Sequence, residues 1–187
     1  NAGLTTTKGD ASHRTDFVRG AYELSGSGIK IAVISNSYNT KNSADLDVSN
    51  GDLPGASNPN RFYDEVEVVK EFPGVASDEG RAMLQIIHDM APGAKLYFRT
   101  GFISPADFAE GIRELTDMGV DMIVDDITYI TEPFFEDGLV AQAVDYAASQ
   151  GVSYFVAAGN FGSTSYAGEF NAAVAPNDSE RFAHQFA

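Results

Sequence analysis

The sequence contains no cysteine and no tryptophan. Disulfides and thiolate metal sites are therefore excluded. The lack of cysteine does not fix the compartment, but it suits a secreted bacterial protein that needs no redox management. Basic residues are few: 12 Lys and Arg stand against 27 Asp and Glu, a formal net charge of −15. Nucleic-acid phosphates need Lys and Arg, so nucleic acid is not an expected partner. An anionic membrane surface is disfavoured for the same reason. No apolar run approaches the roughly 18 residues of a membrane-spanning helix. Histidines number three, His13, His88 and His184. None has a second histidine or a cysteine close by, and all three are read as non-ligands.

The chain opens Asn1-Ala2-Gly3, without the charged and apolar regions of a signal peptide. Any leader is expected to lie outside it. The expected location is extracellular or periplasmic, in a bacterium.

The 187 residues are 43% apolar and 21% charged. That suits one α/β domain with a sizeable core. Residues 1–28 are polar and read as an N-terminal extension, with a short helix over residues 15–24. Residues 29–34, Ile-Lys-Ile-Ala-Val-Ile, form a β-branched apolar strand. Residues 36–60 are rich in Asn, Ser, Asp, Gly and Pro and read as a long loop. Residues 63–72 alternate in polarity and read as a half-exposed strand.

Regular alternation follows. Helices are expected over residues 79–90, 105–118 and 136–150, and strands over residues 94–99, 120–127 and 152–157. Ser104-Pro105 is a helix-start signal, with Pro at the first helical position. Strands separated by helices of this length imply a mostly parallel sheet with helices on both faces. Sites in such sheets lie beyond the carboxyl ends of the strands. Asn36, Asp125, Asp126 and Asn160 are expected there, and Glu79 opens a helix able to reach the same edge.

Glu79 alone is ambiguous, because acidic side chains are favoured in any helix's first turn. Asn160, after Ala157-Ala158-Gly159, also has two readings. It is a turn residue, or an amide able to donate to a developing alkoxide, an interaction of about 3 kcal/mol. Gly26-Ser27-Gly28 precedes its strand, whereas a dinucleotide glycine loop follows one, so it reads as a turn.

Four segments taken in order give these residues a context. They are residues 28–34, Glu79-Gly80 with Ala91-Pro92-Gly93-Ala94-Lys95-Leu96, Ile123-Val124-Asp125-Asp126, and residues 143–160 ending Ala157-Ala158-Gly159-Asn160. Together they resemble the subtilisin superfamily, which includes the acid-acting sedolisins. The likeness covers roughly residues 26–165. It points to a bacterial group with Ser-Asp-Ser and Asp-Glu-Gly-Arg-Ala-Met-Leu signatures. The resemblance implies a three-layer subtilisin-like fold over residues 29–187, incomplete at the C-terminus. It also implies a serine peptidase that hydrolyses polypeptide through an acyl-enzyme. In that scheme Glu79, in the place of the usual His, is the general base, and Asn160 belongs to the oxyanion hole. A carboxylate base ordinarily titrates near 4.3, so an acidic optimum is expected.

The departures are equally specific. Asn36 stands where the family has Asp. Met83 stands where sedolisins carry an acid partner for the Glu. Asp78, Asp125 and Asp126 remain as candidate partners, and Asp125-Asp126 is a carboxylate pair at a buried strand's end. No Gly-Thr-Ser nucleophile segment occurs; Gly162-Ser163-Thr164-Ser165 reads as a loop. The serine is expected from a C-terminal segment or a second chain, and residues 1–187 alone are expected to be inactive. The alternatives are a catalytically inactive subtilisin-like binding or scaffold module, and a doubly wound ligand-binding domain without peptidase ancestry. No cofactor is expected. The stretch Asp45-x-Asp47-x-x-Asn50-x-Asp52 offers the oxygen ligands Ca²⁺ takes, but not the spacing of an EF-hand.

Overall fold

The computed structural model describes residues 4–164, 168–169, 171–175 and 178–184. The chain forms two units, Asn1–Ala157 and Ala158–Ala187. Ser165 lies outside the described residues.

The first unit is built on five parallel strands: β1 Lys30–Ser35, β2 Glu67–Lys70, β3 Lys95–Thr100, β4 Met122–Asp125 and β5 Ser153–Val156. Their order across the sheet is β2-β3-β1-β4-β5. The most apolar strand, β1, takes the centre, where both faces are covered. Its side chains alternate between two cores. Ala32 and Ile34 join Phe108, Ile112, Leu115 and Ala143 from α5 (Pro105–Asp117) and α6 (Leu139–Ser149). Ile31 and Val33 join Leu84 of α4 (Glu79–Met90), together with Leu53 and Phe98. The result is the α/β architecture of three layers, with helices on both faces of a mostly parallel sheet.

The polar N-terminal stretch belongs to this unit. It holds α1 (Lys8–Ser12) and α2 (Thr15–Tyr22). Asp89 of α4 accepts the Thr7 N–H at 2.6 Å, and Arg19 donates to the Met90 carbonyl at 2.9 Å. Asp10 is gripped by Arg19 and Thr15 and is held down at a pKa of about 2, chiefly by the Arg19 hydrogen bond.

Two expectations change. Residues 36–60 are not one long loop, since α3 (Ala44–Asn50) lies within them. Its Ala44 N–H is capped by Asn39 Oδ1 at 3.0 Å, and Gly51 ends it in the left-handed region at φ +88°. The polar composition that suggested loop here supplies the helix's caps. The half-exposed strand of residues 63–72 shrinks to the four residues of β2, whose register slips between Val68 and Lys70.

In the second unit, a 3₁₀ turn at Gly162–Thr164 precedes an antiparallel pair, β6 (Ala172–Ala175) and β7 (Asp178–His184). The sequence reading does not anticipate that hairpin.

Candidate functional site

Parallel pairing places the carboxyl ends of the strands on one edge: Ser35 is level with Thr100, and Ile34 with Asp125. The chain leaving β1 there carries Asn36. α4 starts at the same edge because Gly80 has no side chain. A Cβ at Gly80 would overlap the Phe98 ring and come within 3.0 Å of the Ser37 carbonyl. Gly80 thus lets the first turn of α4 lie directly on the sheet and delivers Glu79 beside Asn36.

Asn36 and Glu79 are joined in both directions. Glu79 N–H donates to Asn36 Oδ1 at 3.2 Å, so Asn36 satisfies one of the free N–H groups of α4's first turn. Asn36 Nδ2 in turn donates to Glu79 Oε2 at 3.4 Å and to Ser77 Oγ at 2.6 Å. The Glu79 side chain is exposed.

Asp78, one residue earlier, does other work. Its backbone is left-handed (φ 60°), and its carboxylate turns away into the loop after β1. There it accepts from Ser37, from the Thr40 hydroxyl and N–H, from the Lys41 N–H and from Arg81, all within 3.0 Å. Burial works against the charge, but these donors hold the carboxyl well below the usual range. Asp78 ties the loop and is not a partner of Glu79. Met83, one turn after Glu79, packs against the core cluster on α4's side of the sheet.

Asp125 and Asp126 have different surroundings, because successive residues at a strand's end point to opposite faces. Asp126 lines a cavity of about 180 Å³ with Ser35, Asn36, Glu79, Phe102 and Tyr129. Its Oδ2 accepts from Ser35 Oγ at 3.1 Å, while its buried Oδ1 has no partner. Burial raises its pKa; the Ser35 hydrogen bond opposes this and the negative charge of Glu79 adds to it. Asp125 does not line that cavity. Its Oδ1 accepts the Ile127 N–H at 3.2 Å. The Tyr154 hydroxyl faces it without meeting hydrogen-bond geometry. Burial pushes Asp125 up to about 6. Phe102 and Tyr129 are not singled out by the sequence. Tyr129 reaches the edge by donating to the Gly101 carbonyl at 2.6 Å, a contact that no local pattern announces.

The other sequence candidates are not among the residues that line this cavity. Asn160 belongs to the second unit. His88 is fully buried with neither ring nitrogen bonded, against the Phe62 ring, and burial lowers its pKa to about 4. His13 ends α1, and His184 ends β7. The acidic residues of the α3 region diverge: Asp47 pairs with Arg81 at 2.8 Å, and Asp52 accepts the Thr5 N–H at 3.2 Å. Among the described residues, no three His, Cys, Asp or Glu are placed to hold a metal ion. Among them, too, no helix is long and apolar enough to cross a membrane.

The chain matches no protein-family model, and no curated protein matches it. Among solved structures it is similar to MycP1 with its N-terminal propeptide removed. The identity is 18% and the TM-score 0.46, over 81% of this chain and 48% of that one. It is also similar to the PatG macrocyclase in complex with peptide. There the identity is 12% and the TM-score 0.47, over 82% of this chain and 57% of that one. The chain spans about half the length of these proteins. The fold follows from the chain's own strand order and registers.

Proposed function

We propose that this chain is the N-terminal part of a subtilisin-like serine peptidase in which Glu79 is the general base. The observation that carries the reading is the Asn36–Glu79 pairing at the carboxyl edge of the parallel sheet, with Asp126 on the wall of the same cavity. The sequence likeness suggests the reaction class, and the hydrogen bonds that hold the Glu79 carboxylate in place support its reading as the base.

In this scheme a serine from a C-terminal segment or a second chain loses its proton to Glu79 as its oxygen attacks a peptide carbonyl. The carboxylate gains the proton and the carbonyl oxygen gains the charge. Glu79 then returns the proton to the leaving amine, and water repeats the cycle on the acyl-enzyme. Asn36 holds Glu79 by donation and cannot share a proton with it. Asp126 is the carboxyl that faces Glu79 and has a free oxygen. It takes the place of the missing acid partner by retaining a proton at pH values where an ordinary Asp is ionised. The role given to Asn160, donating to the oxyanion, rests on the sequence likeness alone. The substrate is polypeptide, and the setting is extracellular or periplasmic.

One observation favours a second reading, an inactive subtilisin-like binding module. Asn36 stands where a carboxylate is expected, and its Oδ1 serves as a cap on α4. The test is peptide hydrolysis by the complete gene product across pH 3–9, paired with Glu79→Gln. The peptidase reading expects a maximum below neutrality and a loss of about 10²–10⁴-fold in the variant. An alkaline maximum, or full activity in Glu79→Gln, leaves Glu79 as a helix-start carboxylate and favours the binding module.

A further inference from the structure

Nothing in the proposed chemistry uses His88, yet its imidazole is fully buried and neither ring nitrogen has a hydrogen-bond partner. A buried polar group without a partner carries its full desolvation cost. The residue lies in the last turn of α4, at the other end of the helix from Glu79, so its behaviour is independent of the peptidase reading. The Phe62 ring stands against it edge-on, with ring centres 5.3 Å apart and planes at 89°.

Phe62 ends a compact loop, residues 54–62, that is closed on itself. The Gly55 N–H donates to the Phe62 carbonyl at 2.8 Å, the Asn58 N–H to the Gly55 carbonyl at 3.0 Å, and the Arg61 N–H to the Asn58 carbonyl at 3.2 Å. Leu53, just before the loop, is fixed in the same core cluster as Leu84. Arg61, just before Phe62, is held in the left-handed region at φ 68°, which disfavours a residue with a side chain. The charged groups around the imidazole are committed or exposed. Asp52, before the loop, accepts the Thr5 N–H at 3.2 Å, and Asp89, next on α4, accepts the Thr7 N–H at 2.6 Å. In the N-terminal segment Asp10 and Arg19 pair with each other, and Arg61 is exposed. With no acceptor at either nitrogen, the closed loop suits a neutral ring and not an imidazolium. Burial lowers the His88 pKa to about 4, and the Asp52 charge opposes this.

We propose that residues 54–62 are an acid-released cover over His88, shut on the neutral imidazole and displaced when the ring takes up a proton and needs water. Release also relieves the left-handed backbone of Arg61. Pro54, Gly55, Ala56 and Ser57 wall a cavity of about 330 Å³ beside α3, so the same movement opens that cavity in acid. The sign follows from the two forms of the ring. An uncovered His88 titrates near the ordinary 6.5 and the covered one near 4. The cover is therefore favoured above 6.5 and loses ground as pH falls towards 4. The ratio of open to shut loop should rise about 70-fold between pH 7.5 and 4.5.

Backbone amide exchange of the chain reads this opening, followed by NMR across pH 4.5–7.5 and corrected for the intrinsic rate at each pH. The Gly55, Asn58 and Arg61 amides, bonded within the loop, are expected to be less protected than the amides of β1 and β3 at every pH. Their protection is expected to fall about 70-fold towards pH 4.5. In His88→Leu, which leaves nothing to protonate under the loop, it is expected to stay level. Phe62→Ala removes the covering ring and keeps the imidazole. It is expected to move the His88 titration, read from the ring C–H shifts, from about 4 towards 6.5. Four results would each overturn the proposal: loop amides as protected as those of β1 and β3, loop protection that ignores pH, an equal fall in His88→Leu, or an unmoved His88 titration in Phe62→Ala.

Discussion

Asn36 and Glu79, 43 residues apart, exchange hydrogen bonds at the carboxyl edge of the sheet. The Glu79 N–H reaches Asn36 Oδ1 at 3.2 Å, and Asn36 Nδ2 reaches Glu79 Oε2 at 3.4 Å. One side chain therefore closes the start of α4 and orients the carboxylate that the helix carries. A residue that replaces an expected acid is structural and positional at once.

Replacing Asn36 by Ala is expected to cost about 1 kcal/mol of stability, the usual scale for a lost helix-start cap. The bond to Ser77 is lost with it. Urea denaturation at pH 7 measures the cost. A change below about 0.3 kcal/mol would show that water replaces Asn36 without loss.

Gly80→Ala is expected to destabilise by about 1–3 kcal/mol, as overpacking in a close-packed core does. The added methyl meets the Phe98 ring and the Ser37 carbonyl. Phe98→Leu removes the first clash and leaves the second. The double variant should then lose less than the sum of the two single changes. Strict additivity would place the strain of Gly80→Ala elsewhere.

Asp125→Asn is expected to raise stability at neutral pH. The group titrates near 6 in the fold against 3.8 as its ordinary value. A raised carboxyl contributes stability fully below 3.8, and that contribution is lost as pH rises through 6. Asn keeps an acceptor for the Ile127 N–H and carries no charge. The gain should be on the order of 3 kcal/mol at pH 7 and near zero at pH 3.5. Denaturation midpoints across pH 3.5–8 check it, and an equal difference at every pH would refute the burial argument.

His88 acts with the opposite sign. Its folded value of about 4 lies below the ordinary 6.5. The unfolded chain therefore takes up the proton first, and stability is lost as pH falls from 6.5 towards 4. His88→Leu places an apolar side chain among the residues that bury both ring nitrogens. Its melting temperature is expected to fall less than the parent's between pH 6.5 and 4.5. Parallel curves would mean that the acid sensitivity arises from carboxylates instead.

Much of the architecture is legible locally, because periodicity and end signals are properties of contiguous residues. The apolar run ending at Ile34 becomes the central strand β1, and Ser104-Pro105 opens α5 with the Ser104 side chain accepting the Asp107 N–H. α3 is hidden because its cap comes from Asn39, five residues before Ala44, within a stretch whose composition reads as loop. The hairpin of β6 and β7 is hidden because an antiparallel pair is secured by its partner strand and not by propensity alone.

The candidate site divides along the same line. Sequence determined that Glu79 opens a helix, that Asn36 follows a strand and that two carboxyls end another. Tertiary structure alone decided what each one faces. Asp78 and Glu79 are neighbours, yet a left-handed Asp78 turns its carboxylate into residues 37–41 while Glu79 meets Asn36. Asp125 and Asp126 are also neighbours, yet only Asp126 lines the cavity with Glu79. Residue type fixes what a group can donate, accept or titrate. Its partners and its solvation are set by chain segments tens of residues away, which only the folded sheet brings together.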